Sequence, residues 1–436
     1  LPNGDLTPMD ELALRDTLGE VLVWMGDYHG AAVEFEEQLS LAERTEAGTL
    51  MVAKSMRRLG WLRRRRGDHD DACRQLEKAL QALGDIESDD AQGEAATILT
   101  ELAFLCHRIG EFVQAIQHSK NAFALAEGLG NVSDAAYALG TMGLAAQAQG
   151  NFTDAFTHFQ NGMERHEKVG DIGGIASTHN NMGNLFMDQS RYVKAEEHYR
   201  ESLKLREKTG DVLNIAATLN NLGNVAMSRG DYTQAEANFQ RCLDVQRLIV
   251  NPFGIAIAMT NLGHVALLNG TTDVAVQHFR NALAQAEPTQ ALDLISHLHT
   301  ALAEALIRQH DIKGAQSHAR DALRLAKQLQ SKLAEALALR ALGALARETR
   351  DYEKAHEELT RAALLLEEAG SKHEHARTLV ELARLHEVRG DESEGQRFRR
   401  KAAALFTAVG ADAEAKGVKE SDSTSQPENK PFDDLV

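Results

Sequence analysis

The sequence contains few aromatic residues, few prolines and few cysteines. Aromatic residues make up 5% of the 436 residues, and there are six prolines and three cysteines. Cys73, Cys106 and Cys242 are far apart and form no C-x-x-C motif, so neither a zinc site nor a disulfide framework is indicated. Free buried thiols are typical of a reducing compartment, and we therefore expect a cytoplasmic protein.

The sequence also lacks the patterns that accompany catalysis and membrane insertion. It has no H-E-x-x-H, no G-x-x-x-x-G-K-[ST] and no G-x-S-x-G motif. No apolar run approaches the length of a membrane span, and no signal peptide is visible. We therefore expect a protein that is not an enzyme, holds no metal or cofactor, and binds no membrane.

Acidic residues exceed basic ones. There are 64 aspartates and glutamates against 47 lysines and arginines, which gives a formal net charge of −17. Such a charge disfavours non-specific binding to nucleic acids and membranes. A nucleic-acid interface along the basic stretch 54–66 is the alternative, and strong salt-dependent binding to random DNA would support it.

A repeat runs through the chain. Gly230 is followed by Asp231, Tyr232 and Ala235, and the position of Gly230 recurs at steps of 40 to 43 residues. A small residue occupies the position of Ala235 in every copy. A period of about 20 to 50 residues is typical of solenoids and other repeat arrays. The recurrences of Gly230 are Gly26, Gly67, Gly110, Gly150, Ser190, Gly270, His310, Arg350 and Gly390.

Each copy predicts a pair of helices. Seven residues before the turn lies a glycine or alanine that follows a large apolar residue, as Gly223 follows Leu222. A glycine within a helix costs up to about 1 kcal/mol relative to alanine, so its recurrence needs a packing reason. We expect a close approach of the second helix, with Ala235 as its small residue and Phe239 on the same face. The Gly-Asp turn supplies a left-handed residue and then a helix cap.

The repeat resembles the tetratricopeptide repeat (TPR) family. The resemblance rests on the small residue after Leu or Met, the turn glycine, the aromatic two residues later, the alanine, and the Phe or Tyr four positions beyond. The usual TPR period is about 34 residues, whereas this chain has 40, and the run 218–224 is similar to the long-repeat subclass of kinesin light chains, Pins-type adaptors and bacterial signalling proteins. The resemblance implies an all-α fold, a right-handed superhelical α-solenoid of about ten helix pairs with a concave groove.

The resemblance divides the chain into three parts. Residues 1–9 are expected to form an N-terminal linker, residues 10–410 the TPR array, and residues 411–436 a disordered acidic tail, because the tail is polar and lacks periodicity. A plain solubilising tail, a docking motif, and a segment that lies in the chain's own basic groove are the alternatives for its role. Because the chain begins with Leu1 rather than Met, we expect a processed protein or a fragment with an effector domain upstream.

A basic stripe with a tryptophan falls on the first helix of the second repeat. Lys54, Arg57, Trp61 and Arg64 are spaced to lie on one helix face. In the TPR pattern this face lines the groove, so the resemblance implies an anchor for an acidic peptide, because guanidinium groups pair with carboxylates and tryptophan is a frequent hot spot. The alternative is a solvated basic face with Trp61 packed against the preceding helix. The late groove is also expected to be basic, with Glu304 and Glu387 interrupting Arg340, Arg347, Arg377 and Arg384.

Asparagines occupy the same stripe in the fifth and sixth repeats. They are Asn180, Asn184, Asn220 and Asn224, and His264 continues the stripe in the seventh repeat. Asparagine is a poor helix former, and its amide both donates and accepts hydrogen bonds. The resemblance implies that these asparagines hold a bound peptide, and structural amides are the alternative. Asparagines at another phase are expected to bridge helices or to cap the neighbouring repeat, namely Asn181, Asn221 and Asn261.

These observations predict a protein-interaction scaffold or ligand-sensing array that binds a peptide or a partner protein in its groove. By resemblance, we expect the array to be part of a larger bacterial-type signalling protein. The alternative is a TPR-type signalling regulator, such as a peptide-pheromone receptor or a response-regulator phosphatase, which would need an added N-terminal helical bundle. Self-association through the end repeats is compatible with either function.

Overall fold

A computed structural model describes residues 7–24, 27–45, 48–66, 68–84 and 88–423. Helices and short turns account for these residues, and none of them forms a β-strand. The prediction of an all-α fold is therefore confirmed. Within the same residues, no helix combines the length and the apolar character needed to cross a bilayer.

The helices fall into two units, Leu1–Asp188 and Gln189–Val436. The first unit contains α1 (Pro8–Trp24), α2 (Tyr28–Arg44), α3 (Thr49–Arg66), α4 (His69–Ala82), α5 (Asp89–Ile109), α6 (Phe112–Gly128), α7 (Val132–Ala148), α8 (Phe152–Val169) and α9 (Ile172–Asp188). The second unit contains α10 (Tyr192–Thr209), α11 (Val212–Ser228), α12 (Tyr232–Leu248), α13 (Pro252–Leu268), α14 (Thr272–Ala286), α15 (Leu292–Arg308), α16 (Ile312–Gln328), α17 (Lys332–Glu348), α18 (Tyr352–Glu368), α19 (Lys372–Val388), α20 (Glu392–Ala408) and α21 (Asp412–Ser423).

Consecutive helices pack side by side in both units. In the first unit α1 pairs with α2, α3 with α4, α5 with α6 and α7 with α8, while α9 packs on α8. In the second unit α10 packs on α11, and helix pairs run from α11 and α12 to α19 and α20. Within each unit, several odd-numbered helices also contact the next odd-numbered helix, as α3 contacts α5 and α15 contacts α17. We call the odd-numbered helices the inner layer of each unit and the even-numbered helices α2 to α20 the outer layer.

The turn between paired helices has the predicted left-handed ending. Gly230 has a φ of 77°, its amide donates to the Met227 carbonyl at 3.0 Å, and the Asp231 amide donates to the Ala226 carbonyl at 2.9 Å. These bonds satisfy carbonyls at the end of α11. The Asp231 carboxylate then accepts a hydrogen bond from the Gln234 amide at 3.0 Å and caps α12. The Gly-Asp pair therefore ends one helix and begins the next.

Three copies keep this turn conformation without glycine. Ser190, His310 and Arg350 have φ angles of 56°, 59° and 61°. The left-handed conformation costs a non-glycine residue about 1–2 kcal/mol. The turn therefore depends on its place in the repeat and not only on glycine.

We expect Arg350→Gly to raise the free energy of unfolding by about 0.5–1 kcal/mol, because glycine removes the left-handed strain but loses more chain entropy on folding. Urea unfolding followed by circular dichroism measures the change. Arg350→Ala is the matched control, since alanine keeps the strain and should leave stability nearly unchanged. A glycine variant less stable than the alanine variant would contradict the assignment of strain to this turn.

We call the line of contact between two paired helices the seam. At the seam, the size of the residue on the first helix is matched to the size of the residue that faces it on the second helix. Gly143 of α7 faces Phe159 of α8, and a Cβ atom at Gly143 would lie 2.5 Å from the phenyl ring. Where the facing residue is small, the first helix carries alanine instead, as with Ala303 and Ala319. The predicted close approach is present, but the facing atoms belong mainly to the large side chain and not to the turn alanine. The same pairing of glycine with a large residue occurs at Gly19 and Phe35, Gly60 and Leu76, Gly223 and Phe239, Gly263 and Phe279, and Gly343 and Leu359.

The C-terminal end differs from the sequence prediction. Helix α21 occupies residues 412–423, where a disordered tail was expected from residue 411. Ala415 is buried in the apolar cluster that contains Phe406 of α20, and the Glu414 carboxylate lies 3.1 Å from His373 Nε2. Apolar burial and an ion pair thus hold a segment whose composition alone predicts disorder. The remaining tail residues, 424–436, lie outside the described residues.

The first helix begins within the predicted N-terminal linker. Helix α1 begins at Pro8, and residues 1–6 of that linker lie outside the described residues.

The cysteines are free thiols. Cys106 and Cys242 are buried, and Cys73 is half-buried. The predicted free thiols are therefore present, with one of them less buried than expected.

Candidate functional site

The predicted basic stripe of the first unit lies on α3, in the inner layer. Arg57 is held between two carboxylates of α5, with Nε 2.5 Å from Glu94 Oε1 and Nη1 3.4 Å from Glu101 Oε1. Burial by itself lowers the pKa of Arg57, but the two carboxylates outweigh burial and raise that pKa. Arg57 therefore links neighbouring repeats, a structural role that the sequence analysis did not assign to it.

Trp61 packs against the preceding repeat. Its ring makes an edge contact with Tyr28 at a centroid distance of 6.3 Å and adjoins the apolar cluster that contains Phe35. This packing corresponds to the structural alternative for Trp61. Trp61 and Arg57 nevertheless line one cavity of about 320 Å³, so the structure brings these two predicted residues together.

The other two residues of the stripe do not line this cavity. The Arg64 guanidinium lies over the Phe104 ring of α5, 5.0 Å from its centroid, which is a cation–π contact. Lys54 is half-buried on the same helix. The four residues thus share a helix, but only Arg57 and Trp61 share a cavity.

The predicted asparagines lie on inner-layer helices, two in each unit. Asn180 and Asn184 are half-buried on α9. On α11, Asn220 Oδ1 accepts a hydrogen bond from Asn261 Nδ2 of α13 at 2.7 Å, so Asn261 bridges helices as its phase predicted. Asn224 is also half-buried, and its side chain forms no hydrogen bond with any residue that the structure describes. Asn220 therefore has a structural partner, whereas the Asn224 amide is available to a ligand.

His264 lies on α13, at the position that corresponds to Asn224 in the preceding repeat. Its Nε2 is 3.3 Å from His297 Nε2 of α15, and its ring meets the Phe279 ring edge-on at a centroid distance of 5.2 Å. Burial, and after it the neighbouring His297, lower the pKa of His264 to about 4. The imidazole is therefore neutral at neutral pH and can exchange a hydrogen bond without carrying charge. Across the described residues, no three metal-ligating side chains form a cluster.

Sequence reasoning missed the charge pairs that link neighbouring repeats. Arg340 of α17 lies 2.8 Å from Glu304 of α15 and 2.5 Å from Glu374 of α19. These partners are 36 and 34 residues away in sequence, and Glu94 is 37 residues from Arg57. Opposite charges separated by about one repeat are the sequence signal that could have revealed them. Glu304 therefore pairs with the late arginines instead of merely interrupting a basic groove.

The sequence matches the tetratricopeptide repeat family over residues 10–84, 94–168, 134–208, 174–247 and 214–288. These matches cover more than half of the chain, and the protein belongs to the tetratricopeptide repeat family. Beyond residue 288, the helix pairs from α15 to α20 continue the same architecture. A search of curated protein sequences gives no match.

Several solved structures share the fold. Aspartyl phosphate phosphatase F from Bacillus subtilis is 12% identical, with a TM-score of 0.59 and coverage of 81% of this chain and 93% of that one. A Rap protein complexed with competence and sporulation factor is 14% identical, with a TM-score of 0.57 and coverage of 83% and 99%. A STAND signal transduction ATPase with a tetratricopeptide repeat sensor, from Pyrococcus horikoshii, is 14% identical, with a TM-score of 0.55 and coverage of 79% and 55%. At these identities the similarity concerns the fold.

Proposed function

We propose that the protein is an interaction array that binds an extended peptide, or an extended segment of a partner protein, along its inner layer. It acts by binding and not by catalysis. Two structures of the same fold support this function, a Rap protein complexed with competence and sporulation factor and a Rap conjugation gene regulator in complex with the Phr* peptide. The STAND protein, in which the repeats are a sensor, supports a role within a larger signalling protein. The free thiols suit a reducing compartment such as the cytoplasm.

The main support for this proposal is the side-chain amide of Asn224. Its amide is half-buried in the inner layer and forms no hydrogen bond within the described part of the chain. Such an amide can donate to and accept from a peptide backbone at the same time. Asn220 and Asn261 hold the neighbouring inner helices together beside it, and the neutral His264 occupies the equivalent position on the next inner helix.

The first unit has an inner layer of its own, which offers a separate set of candidate contacts under this proposal. Asn180 and Asn184 lie on its inner-layer helix α9, and Arg57 and Trp61 lie at the cavity beside α3. Because Arg57 is already paired with two carboxylates, it contributes to binding mainly by shaping that cavity. Trp61 contributes apolar surface there.

We expect Asn224→Ala to weaken peptide binding about fivefold, because a hydrogen bond contributes about 1 kcal/mol. Peptides are first selected by the wild-type chain from a random octapeptide library, and their dissociation constants are then measured by fluorescence anisotropy. Asn281→Ala is the matched control, because Asn281 is exposed on the outer-layer helix α14 and accepts a hydrogen bond from Gln277 of the same helix. Equal affinities in all three proteins would place the binding surface elsewhere, and a wild-type chain that retains no peptide would refute the function.

The second candidate is a TPR-type regulator that acts on a phosphorylated partner protein. The structural likeness to aspartyl phosphate phosphatase F favours it. The decay of a phosphorylated response regulator, measured with and without the chain, separates the two functions. Accelerated decay supports the regulator, whereas unchanged decay together with peptide binding supports the interaction array.

A further inference from the structure

A cleft in the second unit is built largely from arginines. It lies among the inner-layer helices α15, α17 and α19 and has a volume of about 120 Å³. Ile307 and Ala344 supply part of its apolar lining. This concentration of positive charge stands in a chain whose formal net charge is −17. The arginines that line the cleft are Arg308, Arg340, Arg347, Arg377 and Arg384.

Two of these arginines are neutralised by carboxylates of the protein. Arg340 is bound by Glu304 at 2.8 Å and by Glu374 at 2.5 Å. Arg377 shares the same two carboxylates at 3.6 Å and 3.4 Å. Two guanidinium groups thus face two carboxylates, and this part of the cleft holds the three inner helices together.

The other three arginines are less fully paired. Arg347 and Arg384 share Glu381, with nitrogen–oxygen distances of 3.3 Å and 2.5 Å, and Arg347 also lies 2.9 Å from Glu348. Arg308 is exposed and pairs with no carboxylate among the residues that the structure describes. Its hydrogen bond is a long one, 3.5 Å, to a backbone carbonyl of α13. Positive charge is therefore in excess at this side of the cleft.

One donor of this group has no acceptor. Arg347 Nε is buried and forms no hydrogen bond with the described residues. A buried donor without an acceptor destabilises a protein, and an oxygen of a bound ligand would satisfy it. Guanidinium groups bind carboxylates through two parallel hydrogen bonds, which gives both strength and orientation. The small volume suits an acidic side chain or a chain end.

We propose that this cleft anchors a carboxylate of the bound polypeptide, so that the ligand of the array is acidic at this point. Arg308, Arg347 and Arg384 hold the carboxylate, while Arg340 and Arg377 keep their structural partners. The carboxylate belongs to an aspartate or glutamate side chain or to the C-terminus of the ligand. This inference rests on the proposed function and adds the chemistry of the ligand to it.

The test is affinity selection by the full chain from two random octapeptide libraries, one with blocked termini and one with free C-terminal carboxylates. We expect the wild type to enrich aspartate and glutamate in the blocked library. The double variant Arg308→Gln/Arg384→Gln should lose this preference and bind the selected peptides at least about tenfold more weakly, because two charge-assisted contacts are removed. The double variant Arg320→Gln/Arg324→Gln is the control, since it removes the same charge from exposed positions of the outer-layer helix α16 and should keep both properties.

Each outcome separates this inference from the proposed function. Retention from only the library with free C-termini, lost in Arg308→Gln/Arg384→Gln, supports the anchor and identifies the terminal carboxylate as its source. Peptides retained from the blocked library without a preference for acids, or equal losses in both double variants, overturn the anchor and leave the proposed function standing. Retention of no peptide overturns both. If thermal melting shows that the cleft variant is unfolded, Arg308→Gln alone gives the same comparison, because Arg308 takes part in no ion pair among the described residues.

Discussion

Gly143→Ala should lower the free energy of unfolding by about 1–2 kcal/mol, although alanine is the better helix former. An added Cβ atom would lie 2.5 Å from the ring of Phe159, whose side chain is fully buried. Overpacking of this kind costs about 1–3 kcal/mol, and the gain in helix propensity offsets up to about 1 kcal/mol of that cost. Denaturant unfolding monitored by circular dichroism measures the net effect.

A double-mutant cycle tests the size match at the seam. Phe159→Ala alone should cost about 3–5 kcal/mol, because it leaves a cavity at a buried site. With the ring removed, Gly143→Ala should no longer destabilise, since the pair then resembles the natural pair of Ala303 and Ala319. Additive losses in the double variant would show that the seam does not depend on matched volumes.

Arg340→Met should destabilise the protein by about 3–5 kcal/mol, because it removes the guanidinium closest to two largely buried carboxylates and leaves them the longer contacts with Arg377. The Arg340 side chain is only 6% exposed, and it links α17 to both neighbouring inner helices. Arg324→Met is the control, because Arg324 and Asp321 form an exposed pair on one helix that should contribute less than about 1 kcal/mol. Equal changes in unfolding free energy for the two variants would refute the structural role of Arg340.

Because of the same ion pairs, the stability difference between the wild type and Arg340→Met should depend on pH. Burial raises the pKa of Glu304, but Arg340 and Arg377 outweigh burial and bring that pKa to about 2 from an ordinary value of 4.5. Because the folded-state pKa lies below the unfolded one, the ion pairs stabilise the protein fully above about pH 4.5, and this contribution is lost as the pH falls towards 2. The stability difference between the wild type and Arg340→Met should therefore narrow over that interval. A difference that stays constant from pH 7 to pH 2.5 would contradict the assigned pKa shift.

The helix pairs were predictable because the turn and the seam demand particular residues at fixed phases. Ser190, His310 and Arg350 adopt the left-handed turn conformation that their place in the repeat predicts. Helix α21 was not predictable, because it is held by contacts of Ala415 and Glu414 that lie outside the repeat pattern. Composition describes the solubility of such a segment in isolation, whereas packing on α20 decides its structure.

The candidate site was less predictable than the fold. Helical phase places Arg57, Asn220 and Asn224 in the inner layer. It does not show which of these side chains already binds another residue of the protein. Arg57 is paired with Glu94, and Asn220 with Asn261, because stacking brings side chains about one repeat apart into contact. Those contacts depend on the distance between neighbouring inner helices, which a single sequence does not contain.

The inner layer as the surface that binds a polypeptide is tested most directly by photo-cross-linking. The photoreactive amino acid p-benzoylphenylalanine replaces Asn224 on α11 in one variant and Asn281 on α14 in a second variant, and each is irradiated with a peptide selected by the wild-type chain. We expect a covalent adduct at the inner-layer position and none at the outer-layer position. An adduct at the outer-layer position alone, or equal yields at both, would contradict binding along the inner layer.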